Sequence, residues 1–295
     1  MEYLEFKCEG ESLEQIPEEV TAKTGVTFPV AHENYLDMAI VSKELKNSRH
    51  DSICRVPFCV TVEAEALGAN IKLGDEKFGP RVEIYAFKSL EELKKLKDID
   101  FGRGRIAEVL KSVEVLSGSG ETVALSVEGP FTIISSLMDP MIFYKEIRKD
   151  SQAAAAVMQI IGNNIYRYMV EGINKGAKLI SYADPVGSLD IVGPKVYREI
   201  SGKVTCGILK RIDEYLDKSG TDDVIIHICG KTSTACSSME LCKAAPIRFE
   251  EGVTYGQAIE DMLDCDCGMR FIGHNCIKRT PLELKNAVVW GITLE

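Results

Sequence analysis

Short apolar runs alternate with amphipathic segments along most of the chain. Several of the runs are almost continuously apolar, which is typical of parallel strands that are covered on both faces. The candidate strands are Thr27–Ala31, Pro57–Val62, Thr122–Val127, Lys178–Tyr182, Asp223–Cys229, Ile247–Phe249, Met269–Gly273 and Ala287–Ile292.

Helical periodicity fills the intervals between these runs. Pro140–Lys175 carries apolar residues at helical spacing and is followed by Gly176, a residue suited to a helix C-terminus. Lys195–Lys218 repeats an apolar residue every four positions, and Thr254–Leu263 is a shorter helix. Strand–helix alternation indicates a parallel α/β fold, open or closed, and about eight strands favour a closed (β/α)8 TIM barrel. We expect residues 1–295 to form a single barrel domain, with residues 1–25 and about 68–105 as peripheral additions.

The charge balance excludes some classes of partner. With 35 basic and 45 acidic side chains the net charge is −10, so neither nucleic acid nor an anionic membrane is expected as the main partner. No stretch approaches the roughly 18 uncharged apolar residues of a membrane span. The first residues are acidic and lack the apolar region of a signal peptide, so we expect a cytoplasmic protein with most of its cysteines reduced.

The segment Asp222–Ser238 carries the clearest chemistry. On a strand that ends near Cys229, the side chains of His227 and Cys229 share one face because alternate residues point the same way. Active sites of parallel barrels gather at the carboxyl ends of the strands. An imidazole and a thiolate are a typical zinc ligand pair, and one further protein ligand would leave a fourth position for substrate.

The third ligand is expected at the end of a later strand. Cys276 follows the Met269–Gly273 strand, and the gap of 276 − 229 = 47 residues leaves room for the intervening elements. Cys265 and Cys267 compete for this role, although they precede the strand and so belong to the opposite end of a barrel. A buried core histidine beside a buried cysteine also remains open.

The remaining cysteines have no comparable spacing. Cys236 and Cys242 are predicted on a helix after the strand, as packing residues. The others are interpreted as structural: Cys8, Cys54, Cys59 and Cys206.

Six segments together resemble the uroporphyrinogen decarboxylase superfamily, and within it the corrinoid-dependent methylcobalamin:coenzyme M methyltransferases. The resemblance extends from about Phe28 to the C-terminus. The segments are Phe28–His32, Val56–Ala69, Glu128–Thr132, Tyr182–Val186, His227–Gly230 and Phe271–Cys276.

This resemblance implies a (β/α)8 barrel whose zinc ion is held by His227, Cys229 and Cys276. It also implies that the open zinc position takes a small thiol, such as coenzyme M, and that a separate corrinoid protein delivers the methyl group. The arginine-rich N-terminal segment with which the decarboxylases bind porphyrinogen carboxylates has no counterpart here, so porphyrin decarboxylation is not expected.

Two departures and three further residues qualify this expectation. The chain is shorter than typical relatives, with little room for full βα units between Cys229 and Cys276. The usual Gly-Asn reads Gly273-His274, with His274 expected near the metal or at the surface rather than as a ligand. Asp184 is expected either to orient His227 or act on the thiol, or else to cap a turn. Glu63 is expected either to approach the metal or to accept a buried hydrogen bond, and Tyr182 to line the pocket or to pack.

Three functions therefore remain open. The first is methyl transfer from a methylated corrinoid to a thiol. The second is the opposite half-reaction, from a small methyl donor to the corrinoid. The third is a non-catalytic zinc-binding barrel, against which the expected open coordination position argues, because structural zinc sites have four protein ligands.

Overall fold

A computed structural model describes residue 6 and residues 15–75, 77–265 and 268–295. In this part of the chain no helix is long and apolar enough to cross a bilayer. The α-helices are α1 Glu18–Thr24, α2 Tyr35–Ser48, α3 Val62–Ala66, α4 Leu90–Leu93, α5 Gly104–Gly118, α6 Pro130–Leu137, α7 Pro140–Ile147, α8 Ser151–Asn174, α9 Leu189–Val196, α10 Gly202–Ser219, α11 Gly230–Ser238 and α12 Tyr255–Asp264.

Short helical turns connect several of these elements. They are the 3-10 turns Val30–His32, Pro185–Gly187, Ile277–Arg279 and Lys285–Ala287, and the π-helical turn Tyr197–Ser201. The predicted helix Pro140–Lys175 is two helices, because the Asp150 side chain caps the second one by accepting a hydrogen bond from the Ala153 N–H at 2.9 Å.

Nine strands form two sheets in the described residues. The strands are β1 Ile53–Val56, β2 Asn70–Lys72, β3 Arg81–Ile84, β4 Thr122–Glu128, β5 Leu179–Ala183, β6 Ile225–Cys229, β7 Cys242–Arg248, β8 Phe271–Asn275 and β9 Val288–Leu294. The large sheet has the order β1-β4-β5-β6-β8-β9-β7, and the first five of these strands run parallel. The predicted α/β class is therefore confirmed. The two-stranded sheet of β2 and β3 lies within the range expected to be peripheral.

The sheet differs from eight parallel strands in several places. Thr27–Ala31 is a turn that leads into a 3-10 helix. The strand predicted at Pro57–Val62 lies instead at Ile53–Val56, so it ends directly before the predicted range begins. Pro57 has no N–H to donate to a neighbouring strand, which favours an end to the strand there. At the other end, β9 runs antiparallel to both β8 and β7, and β8 pairs directly with β6. Cys242 starts β7 rather than lying on a helix.

The two faces of the large sheet have different partners. The outward residues, for example Val123, Leu125 and Ile226, join the large apolar core with the surrounding helices. The inward residues form layers. The layer near the amino ends is apolar and packs against α12: Ile53, Ala124, Leu179, Ile225, Ile272 and Val289.

Helix α12 bridges β1, at one edge of the large sheet, and β9, which is next to the edge strand β7. Ile53 of β1 and Val289 of β9 pack in the same cluster around it. The Gly256 N–H donates to the Thr280 carbonyl at 2.8 Å, and the Thr280 hydroxyl donates to Asp51, next to β1, at 2.6 Å. The sheet therefore curves into a barrel-like wall that α12 completes, and its carboxyl ends surround a cavity.

Candidate functional site

A cavity of about 740 Å³ opens above the apolar layer, at the carboxyl ends of the parallel strands. Its wall carries the next inward residues of each strand, which are polar. They include Arg55, Ser126, Glu128, Ser181, His227 and Cys229, together with Cys276 from the segment after β8. The change from apolar to polar along the same strand faces marks this end as the functional one.

His227 is fixed at one ring nitrogen and free at the other. The pairing of β5 with β6 places Ser181 opposite His227, and the Ser181 hydroxyl lies 3.2 Å from Nδ1. In the described structure the buried Nε2 atom has no hydrogen-bond partner. Burial lowers the pKa of His227 to about 4, with the backbone of Asn275 acting in the opposite direction, so the imidazole is neutral at pH 7. A neutral imidazole with one nitrogen fixed presents its other nitrogen to a metal.

The two predicted thiol ligands lie beside this histidine. Cys229 lies two residues beyond His227 on the same face and is paired in register with Asn275, the residue directly before Cys276. Tyr255 is a common neighbour, because its ring centroid is 6.0 Å from that of His227. Burial, followed by the charges of Cys276 and Cys229, raises the pKa of Tyr255. The hydroxyl of Tyr255 is buried and has no hydrogen-bond partner among the described residues.

The donor set fits zinc in its chemistry. Across the described ranges no three His, Cys, Asp or Glu side chains already stand as a metal cluster. The cavity nevertheless collects a neutral imidazole with an orphaned Nε2 and two thiols, which are zinc donors. The competing Cys265 is exposed at the end of α12, where its thiol donates to the Met262 carbonyl at 3.6 Å. Cys267 lies outside the described residues.

Glu63 stands behind the cavity wall. Its Oε1 accepts a hydrogen bond from the Glu128 backbone N–H at 2.8 Å, which matches the alternative of a buried hydrogen-bond partner. Burial raises the pKa of Glu63 to about 7. Glu128 itself lines the cavity, and burial, followed by the charges of Glu63 and Asp184, raises its pKa well above the ordinary value. The sequence reasoning passed over Glu128, although it lies two residues after Ser126 on a strand.

Asp184 holds a helix rather than the histidine. Its carboxylate accepts the backbone N–H groups of Thr132 at 2.8 Å and Phe131 at 3.3 Å, at the start of α6, and the Thr132 hydroxyl at 2.9 Å. The fit is close, because a Cβ on Gly129 would lie 2.3 Å from the Asp184 Cβ. Burial raises the pKa of Asp184 to about 6 against these hydrogen bonds. The expected orientation of His227 by Asp184 is corrected, since Ser181 makes that contact.

Tyr182 faces away from the cavity. It lies between the inward residues Ser181 and Ala183, so its side chain is on the helix-covered side of β5. There it is fully buried, with its hydroxyl 3.3 Å from that of Thr205 on α10. Its place among the residues expected to line the pocket is corrected to packing.

His274 has both ring nitrogens engaged away from the cavity. Nδ1 lies 2.9 Å from the Thr234 hydroxyl and Nε2 lies 3.3 Å from the Ser237 hydroxyl, both on α11. These contacts tie β8 to α11 and leave no lone pair for a metal.

Arg55 adds a positive charge that the sequence reasoning missed. It lies on the inward face of β1 and lines the cavity. Burial lowers its pKa, while the charges of Asp51 and Cys276 act in the opposite direction, and Cys276 lines the same cavity. The alternation of inward and outward side chains along β1 was the only sequence signal for Arg55. The predicted strand began after Arg55, at Pro57.

The fold and cavity can be compared with those of known proteins. The profile of the family described as uroporphyrinogen decarboxylase (URO-D) matches residues 12–273. The methylcobamide:CoM methyltransferase MtbA of Methanosarcina mazei is 28% identical over 233 residues, which are 78% of this chain and 67% of that protein. MtaA of Methanosarcina barkeri, also a methylcobamide:CoM methyltransferase, is 27% identical over 80% of this chain and 68% of its own length.

A solved structure agrees with these sequence matches. A methyltransferase from Methanosarcina mazei superposes with a TM-score of 0.62 and 26% identity, covering 75% of this chain and 64% of that one. The present chain thus spans about two thirds of the length of the proteins it resembles. Sequence and fold both relate it to enzymes of the methyltransferase type, and the fold agreement confirms the predicted barrel class.

Proposed function

The chain belongs to the uroporphyrinogen decarboxylase family, and within it we propose a corrinoid-dependent methyltransferase. The donor is a methylated corrinoid carried by a partner protein, and the acceptor is a small thiol such as coenzyme M. The metal is a zinc ion held by His227, Cys229 and Cys276. This proposal follows the relatives, whose names give methylcobamide as donor and CoM as acceptor.

The observation that carries the proposal is the orphaned Nε2 atom of His227. A buried polar atom without a partner costs free energy of about 1–3 kcal/mol, and a bound ion is one arrangement that would satisfy the Nε2 atom. Two cysteine side chains line the same cavity, one on the same strand face and one directly after the neighbouring strand. Three protein ligands are typical of a catalytic zinc site, which keeps its fourth position for substrate.

When bound, zinc favours the ionised form of a coordinated thiol at neutral pH. The protein residues do the rest of the work. Ser181 holds the imidazole ring of His227 in one orientation. The apolar layer beneath the polar wall closes the bottom of the cavity and keeps water from the reacting sulfur on that side.

Arg55 gives the cavity a preference for an anionic acceptor. Its guanidinium is a positive charge in the wall of the cavity that Cys276 also lines, where it would attract an anionic group on a small thiol. A sulfonate or carboxylate at the far end of a short thiol would pair with it. Position and charge together hold the acceptor sulfur for attack on the methyl carbon.

Demethylation of methylcobalamin by a panel of thiols tests this function. We expect the wild-type protein to transfer the methyl group to 2-mercaptoethanesulfonate, and the Cys276→Ser variant to lose at least about a hundredfold in rate because the metal is lost. Cys54→Ser is the matched control, since Cys54 is buried on the outward face of β1. Transfer that proceeds only from a small methyl donor to Co(I) would instead support the opposite half-reaction.

A further inference from the structure

Three cysteines outside the cavity lie together between α10 and β7. Cys206 is on α10, Cys236 on α11, and Cys242 starts β7. Cys236 is the common neighbour, because it shifts the pKa of Cys206 and of Cys242, and both shift its own. The Tyr197 hydroxyl lies 3.1 Å from the sulfur of Cys236, and the Ser237 hydroxyl lies 3.3 Å from that of Cys242. The proposed methyl transfer uses none of these groups.

The backbone explains why the three thiols meet. The Leu241 N–H donates to the Cys236 carbonyl at 3.0 Å, so the chain turns back after α11 and brings Cys242 beside it. Helix α10 packs directly on this turn, because a Cβ on Gly202 would lie 2.6 Å from the Leu241 side chain. Cys206 is one turn beyond Gly202 and so on the same face of α10.

The thiols differ in exposure and in acidity. Cys236 is 1% exposed, whereas Cys206 is only half-buried. The hydrogen bond from Cys236 lowers the pKa of Cys206, and the same bond, with that to Cys242 and with burial, raises the pKa of Cys236. Cys236 also lowers the pKa of Cys242 to about 7, but Cys242 is 4% exposed, so Cys206 is the thiol of the three that solvent reaches. Oxidation-sensitive cysteines combine such accessibility with an adjacent resolving thiol.

We propose that Cys206 and Cys236 are an oxidation site, at which hydrogen peroxide converts the two thiols to a disulfide. The Cys206 sulfur attacks one peroxide oxygen, the O–O bond breaks, and Cys206 becomes a sulfenic acid. The departing hydroxide takes up the proton that the Cys206 thiol loses and becomes the first water. The Cys236 sulfur then attacks that sulfur, the S–O bond breaks, and water leaves with the proton of Cys236. The thiols lose two electrons, and the peroxide is reduced to two waters. Cys242 remains a hydrogen-bond partner of Cys236.

Peptide mapping of the full chain after mild hydrogen peroxide and thiol alkylation tests this site. We expect one cross-linked peptide pair, which joins Cys206 to Cys236 with the loss of two hydrogen atoms. In Cys206→Ser, which lacks one half of the pair, the Cys236 thiol should stay reduced and should be alkylated at least about tenfold more than in the oxidised wild type. The cross-linked pair should persist in Cys242→Ser, and in the matched control Cys265→Ser, which removes an exposed thiol elsewhere.

Three outcomes would overturn the proposal. They are a cross-link between Cys236 and Cys242 in the wild type, a loss of the free Cys236 thiol in Cys206→Ser as large as in the wild type, and the absence of any cross-link within the triad while other cysteines are oxidised. Thermal unfolding of each variant checks that it is folded. If Cys206→Ser fails to fold, the wild-type and Cys242→Ser maps still identify the pair. Because the assay measures no methyl transfer, its result is independent of the proposed function.

Discussion

Substitution of Ser181 by alanine isolates the positioning of His227 from its ligation. Ser181 is 3% exposed, and its hydroxyl lies 3.2 Å from Nδ1 of His227. Among the described residues, no other side chain forms a hydrogen bond with this imidazole ring. Alanine removes this contact and leaves the three proposed ligands intact. A ring without that contact rotates more freely and presents Nε2 to the metal for less of the time.

The structure sets the size of the expected effect. A neutral hydrogen bond contributes about 0.5–1.5 kcal/mol, which is about twofold to tenfold in an equilibrium constant. Removal of the group that orients a metal-binding histidine commonly costs 10–100-fold in affinity or activity. A distance of 3.2 Å is at the long end of the normal range, so we expect zinc affinity to fall about tenfold in Ser181→Ala.

Competition with a chromogenic zinc chelator measures this loss. Ser126→Ala is the matched control, because Ser126 is paired with Ser181 on the neighbouring strand and lines the same cavity. That variant should change the zinc affinity by less than about twofold, since Ser126 forms no hydrogen bond with His227 in the described structure. Equal affinities for the two variants would refute the positioning of His227 by Ser181.

Three further predictions follow from the same contacts. Tyr182→Phe should keep full methyl transfer and lose about 1 kcal/mol of unfolding free energy in a denaturant titration, because it removes only the contact with Thr205; a large loss of rate would return Tyr182 to the site. Arg55→Met should raise KM about tenfold or more for an anionic thiol and much less for 2-mercaptoethanol, and equal changes for both thiols would remove Arg55 from acceptor binding. Glu63 has its pKa raised from 4.5 to about 7 by burial, so the folded state binds its proton more tightly than the unfolded state does. Stability from this group is therefore complete below about pH 4.5 and is lost, by roughly 3 kcal/mol, as the pH rises to about 7. Glu63→Gln should remove this loss from chemical unfolding curves between pH 4.5 and 8, and unchanged pH dependence would contradict the burial of a neutral Glu63.

The sequence was sufficient to predict the face that carries the proposed ligands. His227 and Cys229 are two residues apart on a strand. Side chains alternate between the two faces of a strand, so these two share one face. The structure places both, with Cys276, on one cavity at the carboxyl ends of the strands. That these residues bind zinc stays a prediction.

Register between strands was not accessible from the sequence. Which residues of β5 share a face with His227 depends on pairing, which places Ser181 rather than Tyr182 beside it. Asp184, which lies just past the strand, turns to the N-terminus of α6, a contact made 52 residues away in sequence. Single-chain periodicity does not contain such distant contacts.

Strand direction was equally hidden. Apolar runs such as Ala287–Ile292 identify a strand but do not distinguish parallel from antiparallel pairing. Only 47 residues of sequence separate Cys229 from Cys276. The strand between them, β7, does not join the parallel strands and pairs antiparallel with β9 instead. Helix α12 then fills the wall where a further βα unit would stand.

The metal content and ligand set of the purified chain test the central claim most directly. Elemental analysis with zinc-edge X-ray absorption should give about one zinc per chain, bound by one nitrogen and two sulfur atoms of the protein, with a third sulfur on addition of 2-mercaptoethanesulfonate. Zinc should be lost in both Cys229→Ser and Cys276→Ser. A zinc-free wild-type protein, or a full zinc complement in either variant, would contradict the site.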